Sequence, residues 1–503
     1  MEILSGLAIG FGAVLTLENL FYCLVGAIVG TAIGVLPGIG ATATIALLLP
    51  ITFSLDPLPA LVMLAGIYYG SQYGGSTTAI LVRIPGEGSS VVTAIDGYKM
   101  AQQGRAGPAL AAAALGSLFA GTVATFLIAL FALPLSTLAL RFGAPEYFSL
   151  IVLGLIASTT LSHGPVSKSL AMVIIGIMLS LVGTDIYTGA HRMTFGSLAL
   201  ADGISFVVIS VGIFGVGEII RNLGEQQDQQ KSLARIASLF PTKEDFRRII
   251  APVLRGSAIG SFLGILPGAG ATLSSFASYS AEKRFARGKE PVGEGAIEGV
   301  AGPEAANNAA AQTSFIPMLT LGLPANPVMA LMIGALVIQG IRPGPQVISS
   351  NPELFWGLVA SMWIGNLFLV ILNLPLIGIW VKMLSIPYRY LFPAIMAFCI
   401  CGVYSSSLNT AEVWLISAFG LMGYALWRLQ FDPAPLLMGF VLGPLLEEQL
   451  RRALIISQGD AMVFLQRPIS AGLLAVAAIV LVMMMLPALR RKRREIFVEP
   501  ESI

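Results

Sequence analysis

The sequence predicts an all-α polytopic membrane protein with about 10–13 transmembrane segments in two inverted repeats, some helices being interrupted (re-entrant or broken). Three observations carry that prediction. The 503-residue chain is 56% hydrophobic and only 11% charged, with mean hydropathy +0.83, whereas a soluble domain carries roughly 25% charged residues. Apolar runs such as 471–489 and 354–381 reach or exceed the ~20 residues a helix needs to cross a bilayer. Finally, "GVLPGIGAT" (34–42) returns as "GILPGAGAT" (264–272), so the chain twice puts proline and glycine where a spanning helix wants unbroken helix formers. The alternating segments of an outer-membrane barrel are absent from the sequence.

The N-terminal stretch "MEILSGLAIGFGAVL" lacks the basic region and cleavage site of a signal peptide and reads as a retained interfacial segment before the first span. Cys23, Cys399 and Cys401 lie in apolar segments at a spacing that makes neither a disulfide framework nor a zinc site, and read as buried small hydrophobes. A net charge of +2 says little about partners. Nucleic acid is not expected among them; the lipid bilayer is.

An internal repeat organises the rest. An offset of 230 positions carries Gly26, Gly30, Gly34, Leu36, Pro37, Gly38, Gly40, Ala41 and Thr42 onto identical residues, and Glu218 and Arg221 onto Glu448 and Arg451. An offset of 239 carries the stretch 80–85 onto 319–324, with the extra positions placed in the polar segment 282–291. The sequence therefore divides into a first transmembrane repeat (1–221), a polar cytoplasmic linker (222–250), a second repeat (251–452), a connection with a final helix (453–489) and a basic cytoplasmic tail (490–503). Lys and Arg favour short cytoplasmic loops. The loop 52–60 has none, whereas its counterpart holds Lys283, Arg284, Arg287 and Lys289, and the next loop carries Lys99 and Arg105 in the first copy against Arg342 in the second. The copies are thus expected to face opposite ways, as in secondary transporters whose sites lie at the midplane where repeats meet.

The interruptions have chemistry of their own. Pro37 disfavours helical geometry before it, Gly38 and Gly40 open backbone angles closed to other residues, and Thr42 and Thr44 add hydroxyls. A half-helix starting there points free N–H groups and a positive dipole end into the gap, a ready anion site. Pro267, Gly268, Gly270, Thr272, Ser274 and Ser275 repeat the arrangement. Glycine every fourth residue also serves close helix packing, and a lone Pro-Gly often only kinks a helix; recurrence at matched positions favours a ligand. A second pair of segments, 68–88 and 303–327, offers Ser71, Gln72, Ser76, Thr77 and Thr78, answered by Asn307, Asn308, Gln312, Thr313 and Ser314. Such side chains either hold neighbouring helices together or line a pathway. Among Arg83, Glu87, Asp96, Asp185, Glu298, Glu304 and Asp432, the best candidate for cation or proton handling is Glu304, with Asn308 beside it; His163 and His191 lie in polar connections. Nucleotide-loop, nucleophile-elbow and zinc-protease motifs are absent, so no enzyme and no cofactor is expected, and transport would be driven by an ion gradient.

The stretches "GVLPGIGATATIALLLP", "YYGSQYGGSTTAILVRIPGEGSSVVTAIDGYKMAQQG", "GILPGAGATLSSFASYSAEKRFARGKEP", "GEGAIEGVAGPEAANNAA" and "IPMLTLGLPANPVMALMIGAL" together resemble the large membrane subunit of the tripartite tricarboxylate transporters, over residues 15–450. The resemblance implies a multi-pass permease of the bacterial inner (cytoplasmic) membrane that works with a small membrane subunit and a periplasmic solute-binding protein. It implies uptake of a small carboxylate substrate (a tricarboxylate such as citrate, a dicarboxylate or an aromatic acid) by symport with Na⁺ or H⁺. One departure is Ala325-Asn326, where a Pro-Gly type of turn is expected, which bears on substrate contact at Asn326. An anion channel or an exporter is the alternative use of the same broken helices, and a lipid-modifying enzyme would need a catalytic cluster that the sequence lacks.

Overall fold

The structure is a computed structural model that describes residues 2–36, 40–159, 165–185, 187–197, 200–224, 239, 241–266, 270–286, 288, 290–384, 393, 396–397, 400–401, 403–404 and 409–485. Helices follow one another as α1 (Glu2–Val14), α2 (Leu17–Val35), α3 (Ala41–Leu48), α4 (Pro57–Val82), α5 (Thr93–Gln102), α6 (Ala106–Ala139), α7 (Ala144–Ser158), α8 (Val166–Ser180), α9 (Phe206–Ser210) and α10 (Gly217–Gly224). The second half supplies α11 (Lys243–Ile265), α12 (Gly270–Phe285), α13 (Glu298–Thr313), α14 (Phe315–Leu321), α15 (Pro327–Ile338), α16 (Val347–Ser350), α17 (Pro352–Asn373), α18 (Ile377–Met383), α19 (Thr410–Arg428), α20 (Ala434–Ile456), α21 (Val463–Gln466) and α22 (Pro468–Met485). The described strands, β1 (Gly183–Thr184) and β2 (His191–Arg192), form one antiparallel hairpin. Among the described residues, α2, α6, α11 and α17 are each long and apolar enough to cross a membrane, with six shorter apolar helices beside them.

Two glycine-faced helix pairs form the centre. Glycines at four-residue spacing leave one stripe of a helix without side chains, so a second backbone can lie against it. On α2, a methyl group at Gly26, Gly30 or Gly34 would collide with the carbonyl oxygen of Met63, Ile67 or Ser71 on α4. On α11, a methyl at Gly256 or Gly260 would collide with the carbonyl of Gly302 or Ala306 on α13, and one at Gly264 would press on Ala310 and the Thr313 hydroxyl. The offset of 230 thus relates the glycine helices, and 239 relates the helices they touch. The same offset of 239 relates the two helix ends: α4 stops at Arg83 (φ 60°) and α14 at Gly322 (φ 70°), both left-handed.

That register corrects one pairing. Ser71 occupies the position of Ala310, and Asn307, Asn308 and Gln312 occupy those of Tyr68, Tyr69 and Tyr73. The match of polar residues by type is three positions off this register.

Around this centre the two halves exchange partners. The long helix α6 lies on α13, and α17 lies on α4. α1 packs on α17, where Gly6 and Gly10 admit Trp356. The apolar run 354–381 is two helices rather than one: α17 ends at Asn373, two residues before Pro375, which has no N–H to continue the ladder, and α18 begins at Ile377. The Thr242–Asp245 capping box starts α11 at Lys243. Cys23 is buried as expected, Cys401 is exposed, and Cys399 lies outside the described residues.

Candidate functional site

The two helix starts come first. Pro37, Gly38, Pro267 and Gly268 lie outside the described residues. Gly40 is the extended residue that caps α3, and Gly270 opens α12 with φ +55°. Thr44 bonds back to the Gly40 carbonyl at 3.0 Å, and Ser274 to the Gly270 carbonyl at 2.9 Å, the same contact one repeat on. Ser275 likewise bonds back to Thr272. Thr42 is half-buried in the first turn of α3. The first helix start differs from the sequence expectation of free amides, because the Ala41 N–H donates to the Glu87 carboxylate at 2.6 Å.

Glu87 belongs to the connection after α4. Its neighbour Gly86 fits only because it has no side chain to meet the Gly34 carbonyl, and Gly88 faces the Thr272 hydroxyl of the second helix start. The 3-10 turn Gly88–Ser90 therefore lies against α12, and Glu87 just before it reaches the start of α3. Ser89 fastens it by donating to Gln72 at 2.6 Å. Ser71 is buried and bonds to the Tyr68 carbonyl.

The second cluster surrounds Glu304, which is wholly buried on α13. Ser76 of α4 and Thr93 of α5 each place a hydroxyl 2.5 Å from one carboxyl oxygen. Asn308 donates to Ser117 of α6 at 2.7 Å and to the Glu304 carbonyl. Its side-chain oxygen is buried without a partner. Asn307 neighbours the Glu304 carboxyl without closing a hydrogen bond of good geometry. Two turns along, Gln312 accepts from Thr125 of α6 at 2.6 Å, while its amide nitrogen is buried and unpartnered next to Gly121 and Asn366. Asn366 of α17 in turn accepts from Tyr73. Among the described residues no Lys, Arg or His pairs with Glu304, and no group of His, Cys, Asp and Glu is placed to hold a transition metal.

Some candidates have structural duties. Thr77, Thr78 and Thr313 bond to carbonyls of their own helices. Asn326 caps α15 through Met329 N–H and donates to the Tyr68 hydroxyl. Asp96, wholly buried, takes the Tyr279 hydroxyl and the amides of Gly293, Gly295 and Ala296, so the loop before α13 is strapped onto α5. Glu298 pairs with Arg248. Arg83 is exposed, and His163 lies outside the described residues. In the hairpin, the Tyr187 amide and then Arg192 hold the Asp185 carboxyl well below the usual carboxylate range, with Thr188 and Arg451 adding to it. The arginine Arg248 likewise lowers Glu290.

Thr93, Ser117, Thr125, Tyr73 and Asn366 escaped the sequence reading. Thr93 and Ser117 read as ordinary helix residues, and the crossing of α6 and α5 over α13 brings them to Glu304.

A buried helical core, several membrane-crossing helices and a fully enclosed polar stripe define a multi-pass membrane protein. A profile of the "Tripartite tricarboxylate transporter TctA family" matches residues 20–438, and the chain belongs to that family. It is 62% identical over 501 residues, the whole of both chains, to the "Uncharacterized 52.8 kDa protein in TAR-I ttuC' 3'region" of Agrobacterium vitis. It is also 62% identical over 242 residues, 48% of this chain and all of the relative, to the "Uncharacterized protein in TAR-II ttuC' 3'region" of the same organism. No solved structure matches it significantly.

Proposed function

We propose that this chain is the permease subunit of a secondary active transporter that imports a small carboxylate across the bacterial inner membrane. A periplasmic binding protein delivers the substrate, a small membrane subunit completes the complex, and an inward cation gradient drives uptake. Alternating access occurs around a midplane site between two inverted repeats; the exchanged packing of α6 on α13 and α17 on α4 supports a two-fold relation between the halves. The observation that carries the reading is the Ala41 amide holding the Glu87 carboxylate, with Thr272 of the other repeat on the far side of Gly88. A helix start that accepts a carboxylate from its own chain has the chemistry to accept one from a substrate. Gly40, Thr42, Thr44, Ser71, Gln72 and Ser76 on one side, with Gly270, Thr272 and Ser274 on the other, then line the path. Glu304 and Asn308 handle the coupling cation.

The complex reconstituted in proteoliposomes with its binding protein tests this. Citrate, succinate or benzoate should enter saturably and only while an ion gradient stands, and Gly40→Leu, which fills the space before Glu87, should abolish entry without preventing membrane insertion. Conductance that persists without a gradient would make the protein an anion channel instead.

A further inference from the structure

Granted the transport function proposed, the hydrogen bonds of Glu304 decide its protonation state. Ser76 has one hydroxyl proton but two neighbours, the Gln72 carbonyl at 2.8 Å and a Glu304 carboxyl oxygen. An ionised carboxylate is acceptor-only, as is a carbonyl. With Glu304 ionised, one of those two contacts has no hydrogen. With Glu304 protonated, every contact is served: the acid O–H donates to Ser76, Ser76 donates to the Gln72 carbonyl, and Thr93 donates to the other carboxyl oxygen.

Charge leads to the same place. Glu304 is fully buried, and an unpaired buried charge is among the costliest features a fold can hold. Among the described residues, the titratable groups around it offer no counter-charge. From α4 comes Tyr73; from α5 Asp96, already wrapped by three amides; from α12 Glu282, paired with Arg255; and on α13 itself Glu298, paired with Arg248. From α6, among the described residues, the group that reaches Glu304 is the uncharged Ser117 hydroxyl.

We infer that Glu304 is the carrier of the coupling proton, and that Ser76 and Thr93 are its gate. Both hydroxyls belong to the first repeat and the acid to the second, so a movement of one repeat against the other removes both partners at once. The acid, opened to water on the side then exposed, releases its proton to that water as a carboxylate, and takes a proton from the opposite side before the hydroxyls close again. No other bond is made or broken.

Infrared difference spectroscopy on the purified chain, wild type minus Glu304→Gln, should show at neutral pH the carbonyl stretch of a protonated carboxylic acid that shifts in D₂O. In proteoliposomes of the complex, an inward proton gradient without Na⁺ should drive citrate accumulation. Glu304→Gln should lower it roughly tenfold or more, and residual citrate exchange should lose its pH dependence. Thr93→Val and Ser76→Ala, which leave the acid in place, should weaken the acid band's protection from D₂O exchange. Absence of the band, or accumulation that needs Na⁺ and ignores the proton gradient, overturns the inference while leaving a carboxylate transporter. A wild-type complex that moves none of citrate, succinate or benzoate under any gradient overturns the transport reading itself.

Discussion

On the first glycine-faced pair, α4 turns Ala65, Tyr68, Tyr69 and Tyr73 into the core; at the equivalent places of the second pair, α13 turns in Glu304, Asn307, Asn308 and Gln312. The backbones repeat their register to the residue, down to the left-handed helix ends at Arg83 and Gly322. The side chains have parted company. One copy supplies hydroxyls and aromatic bulk, and the other supplies the acid and amides that those hydroxyls satisfy. Close backbone packing is what the fold requires twice, so glycine recurs; the polar chemistry is required once, so it sits in one copy and borrows partners from the other.

The largest effect should come from breaking what the copies share. Gly30→Leu and Gly260→Leu each drive a side chain into a carbonyl of the facing helix, and overpacking of this kind costs about 3 kcal/mol or more. Both variants should lose monodisperse protein on size-exclusion chromatography to the same degree; a large difference between them would show that the two pairs are not equally essential.

The helix ends should respond with opposite signs. Gly322→Ala puts a methyl into left-handed backbone and toward the Pro343 carbonyl, and should cost about 2 kcal/mol. Arg83→Gly relieves the same conformation in a residue that pays for it, and should be neutral or stabilising by up to about 1 kcal/mol. Thermal unfolding in detergent reads both.

Glu87→Gln sharpens the contrast between the two helix starts. Losing a charge-assisted bond to Ala41 should cost about 1 kcal/mol of stability, yet remove a built-in competitor, so citrate should bind the chain several-fold more tightly in calorimetry. Weaker citrate binding would mean that Glu87 serves the substrate rather than rivals it.

The smallest effect is peripheral. Asp185 has its folded pKa depressed, so its charge stabilises the hairpin above the unfolded value near ~3.9 and loses that contribution as pH falls below it. Asp185→Asn should lower the melting temperature slightly at pH 7, and the deficit should shrink as pH drops through about 4.

Part of the scaffold is legible in the sequence. The glycine stripes and the two offsets are local patterns, and the packing of Gly26 on Met63 and Gly256 on Gly302 follows from them. Glu304 stands out as a carboxylate beside the amide-bearing stretch 305–312. Ser76 stands out with it, whereas Thr93 and Ser117 look like ordinary helix residues until α5 and α6 cross α13. In the sequence Glu87 is one ionisable group among several, because nothing near it says that it reaches Ala41. Asn326 looked like a substrate contact and serves as a helix cap, a duty that any Asn before a proline-led helix can take.

The exchanged packing also has a history in time. Ser76 and Ser117 leave the ribosome 228 and 187 residues ahead of Glu304. A nascent chain that ends at the central linker therefore carries these hydroxyls without the groups of α13 that they meet, and α4 without α17 beside it. Biogenesis of this protein cannot be completed one half at a time: the early half must wait, unfinished, for the late one.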